Sequence, residues 1–182
     1  MADTPDLLQK RNMKRSLILT LLLLSFFVMP CFADLYTVVR VVDGDTIIID
    51  YNGEKERIRM LNVDTPESVH PKKSRNTKIG KRASEYTKKR LTGKSISLEF
   101  DGKKRGRYGR LLAYVILDKN NFNLELVQKG WSPYYTKYGK SSFYHARFSA
   151  AQTRARDNGL NIWSDPDLGN GKKGVRTADE IN

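Results

Sequence analysis

The feature that most constrains the fold is a series of short strand patterns separated by turn residues. Residues 36–42 and 46–51 are rich in β-branched side chains, and Asp43-Gly44-Asp45 between them indicates a turn. Asn52-Gly53 follows, and this dipeptide is a strong hairpin signal because both turn positions favour a positive φ. Residues 55–63 then alternate charged and apolar side chains at first, as a returning strand does. The pattern predicts a three-stranded antiparallel meander.

The rest of the domain adds two strands and three helices. Amphipathic spacing and capping residues predict helices over residues 77–91, 123–129 and 142–156, and strand patterns over residues 94–100 and 110–117. Five short strands with inserted and appended helices suggest a small closed barrel of the OB type. We therefore predict an α+β fold, mainly β, in which residues 34–164 form a five-stranded OB-fold barrel with three helices.

The two ends of the chain differ in composition from this domain. A basic cluster at residues 10–15 precedes an apolar run at residues 17–29 and then Ala33, which is the pattern of a secretory signal peptide. We expect residues 1–33 to be that signal, although a complete signal pattern already starts at Met13. The apolar run is short for a membrane span, which needs roughly 20 residues. Residues 165–182 are rich in Asp, Gly and Lys and are predicted to be a disordered tail.

Two alternatives for the first segment stay open at this point. It could remain as an uncleaved anchor, or Cys31 could be a lipid-modified residue after cleavage. Cys31 is the one cysteine in the sequence. If cleavage follows Ala33, the mature domain has no cysteine, which excludes a disulfide framework, a thiolate nucleophile and a cysteine-based zinc site.

The formal net charge of +13 indicates a polyanionic partner. Nucleic acid, acidic polysaccharide and anionic membrane all fit that charge. Charge alone does not choose among them.

Three short segments place unusual polar residues at predicted strand ends. They are residues 43–46, residues 59–67 and residues 107–110. Grouped carboxylates can hold a hard cation with oxygen ligands. Arginines in the same space would repel that cation unless an anion lay between them, and a phosphate satisfies both because a guanidinium matches its oxygens with two parallel hydrogen bonds. Taken singly, each segment also fits an ordinary turn, a strand cap or a solvated surface charge.

Together the segments carry a specific resemblance. The chain resembles the staphylococcal nuclease (thermonuclease) family over residues 36–164, in five separated motifs that occur in the family's order. The motifs are VVDGDTIII at residues 41–49, RIRMLNVDTPE at residues 57–67, RYGRLLAYV at residues 107–115, LVQKGW at residues 126–131 and LNIWS at residues 160–164.

The resemblance implies an active site and an activity. It implies a Ca²⁺ site formed by the carboxylates of Asp45 and Asp64 and the backbone carbonyl of Thr65. It implies three catalytic residues, with the general base at Glu67 and phosphate-binding arginines at Arg59 and Arg110. The implied activity is that of an endonuclease that cleaves DNA and RNA with little sequence specificity, and with the signal-peptide pattern we expect a secreted or periplasmic monomer. We also expect single strands to be preferred, because the implied pocket contacts phosphate and stacked bases and no motif suggests a helix placed in a groove.

Several further residues are candidates for nucleic-acid binding. Lysines in a basic loop could guide a phosphate backbone, although a solvated loop would look the same, and tyrosines could stack on bases. These candidates are Lys72, Lys73, Arg107, Tyr108, Tyr135 and Tyr138. The segment from Trp131 to Tyr135 departs from the staphylococcal pattern, which leaves open which tyrosine lines the pocket. Trp131 and Trp163 are predicted to be packing residues.

Two other functional classes must be separated from the nuclease. OB-folds often bind single-stranded nucleic acid without cutting it. A pure binder has no evident use for carboxylates that face its phosphate ligand, so the complete acidic and arginine set favours an enzyme. A basic protein of membranes or polysaccharides would explain the charge but none of the motifs.

Overall fold

The computed structural model describes residues 34–69 and 76–164, together with the single residue Met13. The predicted signal peptide, apart from Met13, and the predicted tail lie outside the described residues, as do Lys72 and Lys73. Within the described part of the chain, no helix is long and apolar enough to cross a membrane.

Five strands form a closed barrel, and a two-residue strand extends it. They are β1 Tyr36–Asp43, β2 Thr46–Tyr51, β3 Glu54–Met60, β4 Ser95–Glu99, β5 Leu111–Leu117 and β6 Asn120–Asn121. The first three pair as the predicted meander, β1 pairs with β4, and β4 pairs with β5. A parallel pairing of β3 with β5, which sets Ile58 opposite Leu111, closes the barrel. The predicted OB-type α+β fold is confirmed.

Three helices cover the barrel, as predicted. They are α1 Lys78–Leu91, α2 Phe122–Gln128 and α3 His145–Asp157, and a short 3-10 helix follows at Asn161–Ser164. Helix α3 begins three residues later than predicted, since residues 142–144 form a turn in which the Ser141 hydroxyl accepts a hydrogen bond from the Tyr144 N–H, at 2.9 Å. Its apolar side is fully buried, as the spacing of Phe148, Ala151 and Ala155 predicts. Trp131 and Trp163 are also buried, which agrees with a packing role.

Strand β3 is shorter than the sequence suggests. The prediction that it continues through Val63 is wrong, because the strand ends at Met60 and Asn62 adopts a positive φ of 56°. Leu61 still donates to the Ala113 carbonyl at 3.0 Å, and Val63 forms an isolated bridge with Tyr134. The chain therefore turns out of the barrel at Asn62. This turn brings the following acidic segment to the end of the barrel where β1 meets β2.

Candidate active site

The turn between β1 and β2 contributes two buried carboxylates. Asp43 accepts hydrogen bonds from the Gly44 N–H at 2.8 Å and from the Ser68 hydroxyl at 2.5 Å. Burial raises the pKa of Asp43, although the bonds from Ser68 and Gly44 oppose the rise. Asp43 thus ties the turn to the segment after β3 and does not itself face the pocket as a free ligand.

Asp45 is the second carboxylate, and it organises the same segment. Its Oδ2 accepts hydrogen bonds from the Thr65 N–H at 2.8 Å and from the Thr65 hydroxyl at 3.2 Å. Its Oδ1 accepts from the Thr46 hydroxyl at 3.0 Å. Only 6% of the Asp45 surface is exposed, so the charge is held almost entirely by protein groups. Asp45 and Thr65, predicted from distant motifs, are therefore in direct contact.

Arg59 on β3 bridges the two predicted carboxylate ligands. Its Nη1 lies 2.9 Å from Asp45 Oδ2, and its Nη2 lies 2.7 Å from Asp64 Oδ1. Nη1 also donates to the Val63 carbonyl at 2.9 Å. Burial disfavours the guanidinium charge, but Asp45 and Asp64 outweigh burial and raise the pKa of Arg59. The planar two-pronged donor thus holds both acidic segments in one place.

The Asp64 carboxyl lies in an environment that disfavours its charge. Burial is the largest cause, and with Asp45 and Glu67 nearby it outweighs Arg59, so that the pKa of Asp64 rises to about 6. The backbone of Asp64 is fixed from the other side, since its N–H donates to the Ser132 hydroxyl at 2.8 Å. An additional cation beside Asp64 would relieve the excess of negative charge.

Helix α1 fixes the position of both acidic segments. The Thr77 N–H donates to the Glu67 carbonyl at 3.0 Å, and the Thr77 side chain caps the helix through the Gly80 N–H at 2.9 Å. A Cβ on Gly80 would collide with the backbone carbonyls of residues 66 and 67, so the helix packs closely on that segment. Farther along the helix, the Thr87 hydroxyl donates to the Gly44 carbonyl at 2.7 Å.

Arg110 directly precedes β5, the strand that pairs with β3. In the parallel register Arg59 pairs with Leu112, two residues along from Arg110. Strand geometry then places the Arg59 and Arg110 Cα atoms roughly 8 Å apart. Within residues 34–69 and 76–164 the Arg110 guanidinium makes no hydrogen bond or ion pair, and the side chain is partly exposed. It is therefore a guanidinium available to an anion.

Glu67 is exposed at the same end of the barrel. Its charge helps to raise the pKa of Asp64, which shows that the two carboxylates are near each other. Its side chain makes no hydrogen bond to the described part of the chain. Glu67 is thus a carboxylate that can reach a solvent molecule beside the acidic cluster.

The two neighbouring tyrosines in the loop before α3 have different environments. Tyr134 is buried, stacks on Phe148 with ring centroids 5.0 Å apart, and belongs to the core. Tyr135 is partly exposed, and it lies near enough to Arg59 to contribute to raising the pKa of that guanidinium. Tyr138 is 86% exposed, and its ring centroid lies 5.9 Å from that of Tyr135. Tyr135 and Tyr138 therefore form the solvent-facing pair in this loop.

The loop before β5 presents Arg107 and Tyr108 to solvent, and 78% of the Tyr108 surface is exposed. Arg105 anchors this loop through an ion pair with Glu56 at 3.0 Å and a hydrogen bond to the Gly109 carbonyl at 2.7 Å. The anchor keeps the loop beside β3 and so positions the adjoining Arg110.

Comparison with known proteins shows which family this chain belongs to. The family described as "Staphylococcal nuclease homologue" matches residues 57–165 of the chain. The chain belongs to the staphylococcal nuclease family. The thermonuclease of Staphylococcus hyicus is 44% identical over 133 residues, which cover 71% of this chain and 75% of that protein. The predicted family and the prediction of a hydrolytic nuclease are confirmed.

Two further relatives agree. The thermonuclease of Staphylococcus intermedius is 44% identical over 131 residues, covering 70% of this chain and 75% of that protein. The endonuclease YncB of Bacillus subtilis is 38% identical over 129 residues, covering 70% of this chain and 61% of that protein.

The donor groups of this nuclease site fit a hard cation. All of the nearby ligands are oxygens, and Asp45 and Asp64 lie within reach of one guanidinium. Among the described residues, however, no group of three or more acidic, histidine or cysteine side chains converges on one point. Two carboxylates and a carbonyl suit Ca²⁺, which takes 6–8 oxygen ligands, only if water and substrate supply the others.

Sequence reasoning missed the residues that hold the site in place. Ser132 binds the Asp64 N–H, and Thr87 binds the Gly44 carbonyl. Asn62 donates to the carbonyls of Tyr135 and Gly139, at 3.1 and 2.9 Å, and thereby positions the tyrosine loop. All three are short polar side chains that are common on surfaces and in loops, so nothing local in the sequence distinguishes them.

Proposed function

We propose that this nuclease is a Ca²⁺-dependent endonuclease that hydrolyses phosphodiester bonds of DNA and RNA by attack of water. The observation that carries the proposal is the bridge from Arg59 to Asp45 and Asp64. It brings a phosphate-binding group and two cation-binding groups into contact at the end of the barrel that also carries Glu67.

The cation would be held by Asp45, Asp64 and the Thr65 carbonyl. When bound, Ca²⁺ neutralises charge on a non-bridging phosphate oxygen and helps to orient the attacking water. Three protein ligands leave most of the coordination positions to water and substrate. Binding of Ca²⁺ without nucleotide is therefore expected to be weak.

The remaining chemistry belongs to side chains of this chain. Glu67 is the candidate general base, because it is an accessible carboxylate beside the acidic cluster and can accept a proton from water. Arg110 has no partner within the described part of the chain, so it can bind a phosphate oxygen directly. Arg59 offsets part of the charge of Asp45 and Asp64 at rest and can share its donors with a substrate phosphate. Both arginines would stabilise the charge that grows on phosphorus in the transition state.

The surroundings of the site favour single-stranded substrate. Tyr135 and Tyr138 expose aromatic surface next to Arg59, and bases stack on such surfaces with little regard to sequence. A base can reach these rings only when it is not stacked within a duplex. Arg107 and Tyr108 are exposed beside Arg110 and would contact the strand on that side.

Export and a monomeric state are part of the same proposal. They are supported by the signal-peptide pattern of residues 1–33 and by a site that one chain supplies in full. Lys72 and Lys73 are proposed to contact the phosphate backbone, since they directly follow the segment of Glu67 in sequence.

The deciding experiment compares cleavage of a single-stranded oligonucleotide with cleavage of the same sequence in a stable duplex, in Ca²⁺ and in chelator. We expect cleavage only with Ca²⁺, faster on the single strand, and slower as salt rises. Asp64→Asn should raise the Ca²⁺ concentration needed for half-maximal rate. Full activity in chelator would show that the metal assignment is wrong, and faster cleavage of duplex would reject the substrate assignment.

A further inference from the structure

An open groove of about 430 Å³ lies away from the cleavage site, between the end of β4 and the start of α3. It is lined by Glu99, Phe100, Phe143 and Tyr144, three of which are aromatic. The Phe143 side chain is 66% exposed, and its ring centroid lies 6.4 Å from that of Tyr144, with the rings edge to face. Phe100 and Tyr144 are partly buried, so Phe143 supplies most of the exposed aromatic surface of the groove.

Two cations flank the aromatic groove. The Lys104 ammonium lies 5.1 Å from the centre of the Phe100 ring, and the Arg147 guanidinium lies 5.6 Å from the centre of the Tyr144 ring. Both cations are exposed, and neither has an ion-pair partner within residues 34–69 and 76–164. The lining carboxylate Glu99 accepts a hydrogen bond from the Tyr144 hydroxyl at 2.5 Å. Glu99 and the neighbouring Asp101 carboxylate offset the charge of these two cations, which leaves Lys104 and Arg147 as two exposed donors beside the rings.

The same two loops connect the groove to the active site. The loop that begins after Phe100 ends at Arg110, and the loop that carries Tyr135 and Tyr138 continues to Phe143. Next to the groove, the loops are held together by Asp101, whose Oδ2 accepts a hydrogen bond from the Ser142 N–H at 2.8 Å.

The register of the barrel gives the distance between groove and site. Glu99 on β4 pairs with Tyr114 on β5, four residues along from Arg110. This separation is roughly 13 Å along the strand. An OB-fold engages on the order of 4–16 nucleotides, so one strand can reach both places.

We propose that the aromatic groove is a second binding site for single-stranded nucleic acid. One base of the substrate strand stacks on Phe143, and the flanking phosphates contact Lys104 and Arg147. Aromatic faces with flanking cations are the combination that binds single strands without sequence preference. The inference rests on the proposed function only in taking a nucleic-acid strand as the ligand.

The test measures the affinity of the full protein for a fluorescein-labelled (dT)12 in chelator, so that no cleavage is needed. Phe143→Ala should weaken binding about five- to tenfold, because one stacked base is lost. Lys104→Gln should lower the slope of log affinity against log salt by about 0.7, the value for one phosphate contact with a single strand. The matched charge control is Lys89→Gln, an exposed lysine on α1, which packs against β1. It should leave the slope unchanged.

A second probe separates stacking from charge. With an abasic 12-mer of the same charge, Phe143→Ala should bind like the parent, whereas Lys104→Gln should still bind more weakly. Parental affinity for (dT)12 in both variants would overturn the proposal, and a protein partner would then be the alternative occupant of the groove. Equal weakening of the abasic strand by Phe143→Ala would also overturn it.

Cleavage assays on the same variants keep the two proposals distinct. In Ca²⁺, both substitutions should raise KM for a 12-mer by the factor seen in binding, with kcat/KM for a dinucleotide substrate unchanged. A loss of dinucleotide cleavage in Phe143→Ala would contradict a site separate from the catalytic one. If the parent protein fails to cleave in Ca²⁺ but the groove variants still weaken binding, only the proposed function fails.

Discussion

Gly44 is the position where one added carbon is expected to disturb the site most selectively. A Cβ there would lie 2.7 Å from Thr65 Oγ1 and 2.9 Å from both Thr65 Cβ and Thr65 Cγ2. The Gly44 carbonyl accepts the buried Thr87 hydroxyl bond, so the turn has little room to retreat. Gly44→Ala must therefore push Thr65 away from the β1–β2 turn.

The expected size of the effect follows from this overlap. Ordinary Cβ contacts begin at 3.4 Å, so the Thr65 side chain must move by about half an ångström or more. Overpacking of this kind costs about 1–3 kcal/mol, which lowers Tm by roughly 3–10 °C in a domain of this size. The Thr65 carbonyl and the adjoining Asp64 are proposed Ca²⁺ ligands. Since a misplacement of about 1 Å can cost 10²-fold in rate, we expect turnover to fall between about tenfold and 100-fold.

The assay combines urea unfolding with turnover on a single-stranded oligonucleotide across a Ca²⁺ titration. Gly106→Ala is the matched control, because a Cβ there meets only the Leu112 side chain, at 3.4 Å or more. It should retain stability and turnover. Thr65→Ala removes two of the three colliding atoms, Oγ1 and Cγ2, and should recover part of the stability lost in Gly44→Ala, as a coupling of about 1 kcal/mol in a double-mutant cycle. Parental turnover in Gly44→Ala, or additive losses in the double variant, would refute the reasoning.

Three further predictions concern the support of the site, the core and processing. Ser132→Ala should leave the Asp64 N–H without its partner, which should lower the free energy of unfolding in urea by about 1–3 kcal/mol and also lower turnover. Unchanged turnover would mean that Ser132 does not position Asp64. Burial raises the pKa of Glu125, but hydrogen bonds from Arg90 and Tyr86 outweigh it and hold the pKa below its usual 4.5. The ionised Glu125 therefore stabilises the fold above about pH 4.5, and the difference in unfolding free energy between the parent and Glu125→Gln should shrink from pH 7 to pH 3. A difference that stays constant over this range would contradict a stabilising charge on Glu125. Mass spectrometry of exported protein should find the mature N-terminus near Asp34, and intact residues 1–33 on cytoplasmic protein would count against export.

The barrel could be predicted because its signals are local. Strand periodicity, the Asn52-Gly53 turn and the capping residues each act within a few positions, and all agree on one fold. The end of β3 was predicted wrongly because the prediction used only such local signals. Residues 61–63 continue the apolar pattern of a strand, but the Asn62 side chain binds two carbonyls of the distant tyrosine loop. That long-range contact fixes a positive φ that local pattern cannot reveal.

The sequence predicted residues that the structure brings together, namely Asp45, Arg59, Asp64 and Thr65, but not how they contact one another. The motifs identify the carboxylates and arginines, and the barrel brings their strand ends together. The sequence could not show that Arg59 is ion-paired with both Asp45 and Asp64, because that contact depends on the exact turn after Met60. Nor could it separate buried Tyr134 from partly exposed Tyr135, since adjacent residues differ only in which side of the chain faces the core.

We propose that this end of the barrel hydrolyses a phosphodiester with Glu67 as the general base and with Arg110 as a donor that stabilises charge in the transition state. Single-turnover cleavage of a labelled oligonucleotide in Ca²⁺, with affinity measured on the same proteins, tests it most directly. Arg110→Lys keeps the charge but loses the planar donor, and we expect a rate lower by about 10²–10³-fold. Glu67→Gln should cleave at least about 10²-fold more slowly while binding the oligonucleotide as well as the parent. Cleavage by Glu67→Gln at the parental rate would contradict the assignment of the base.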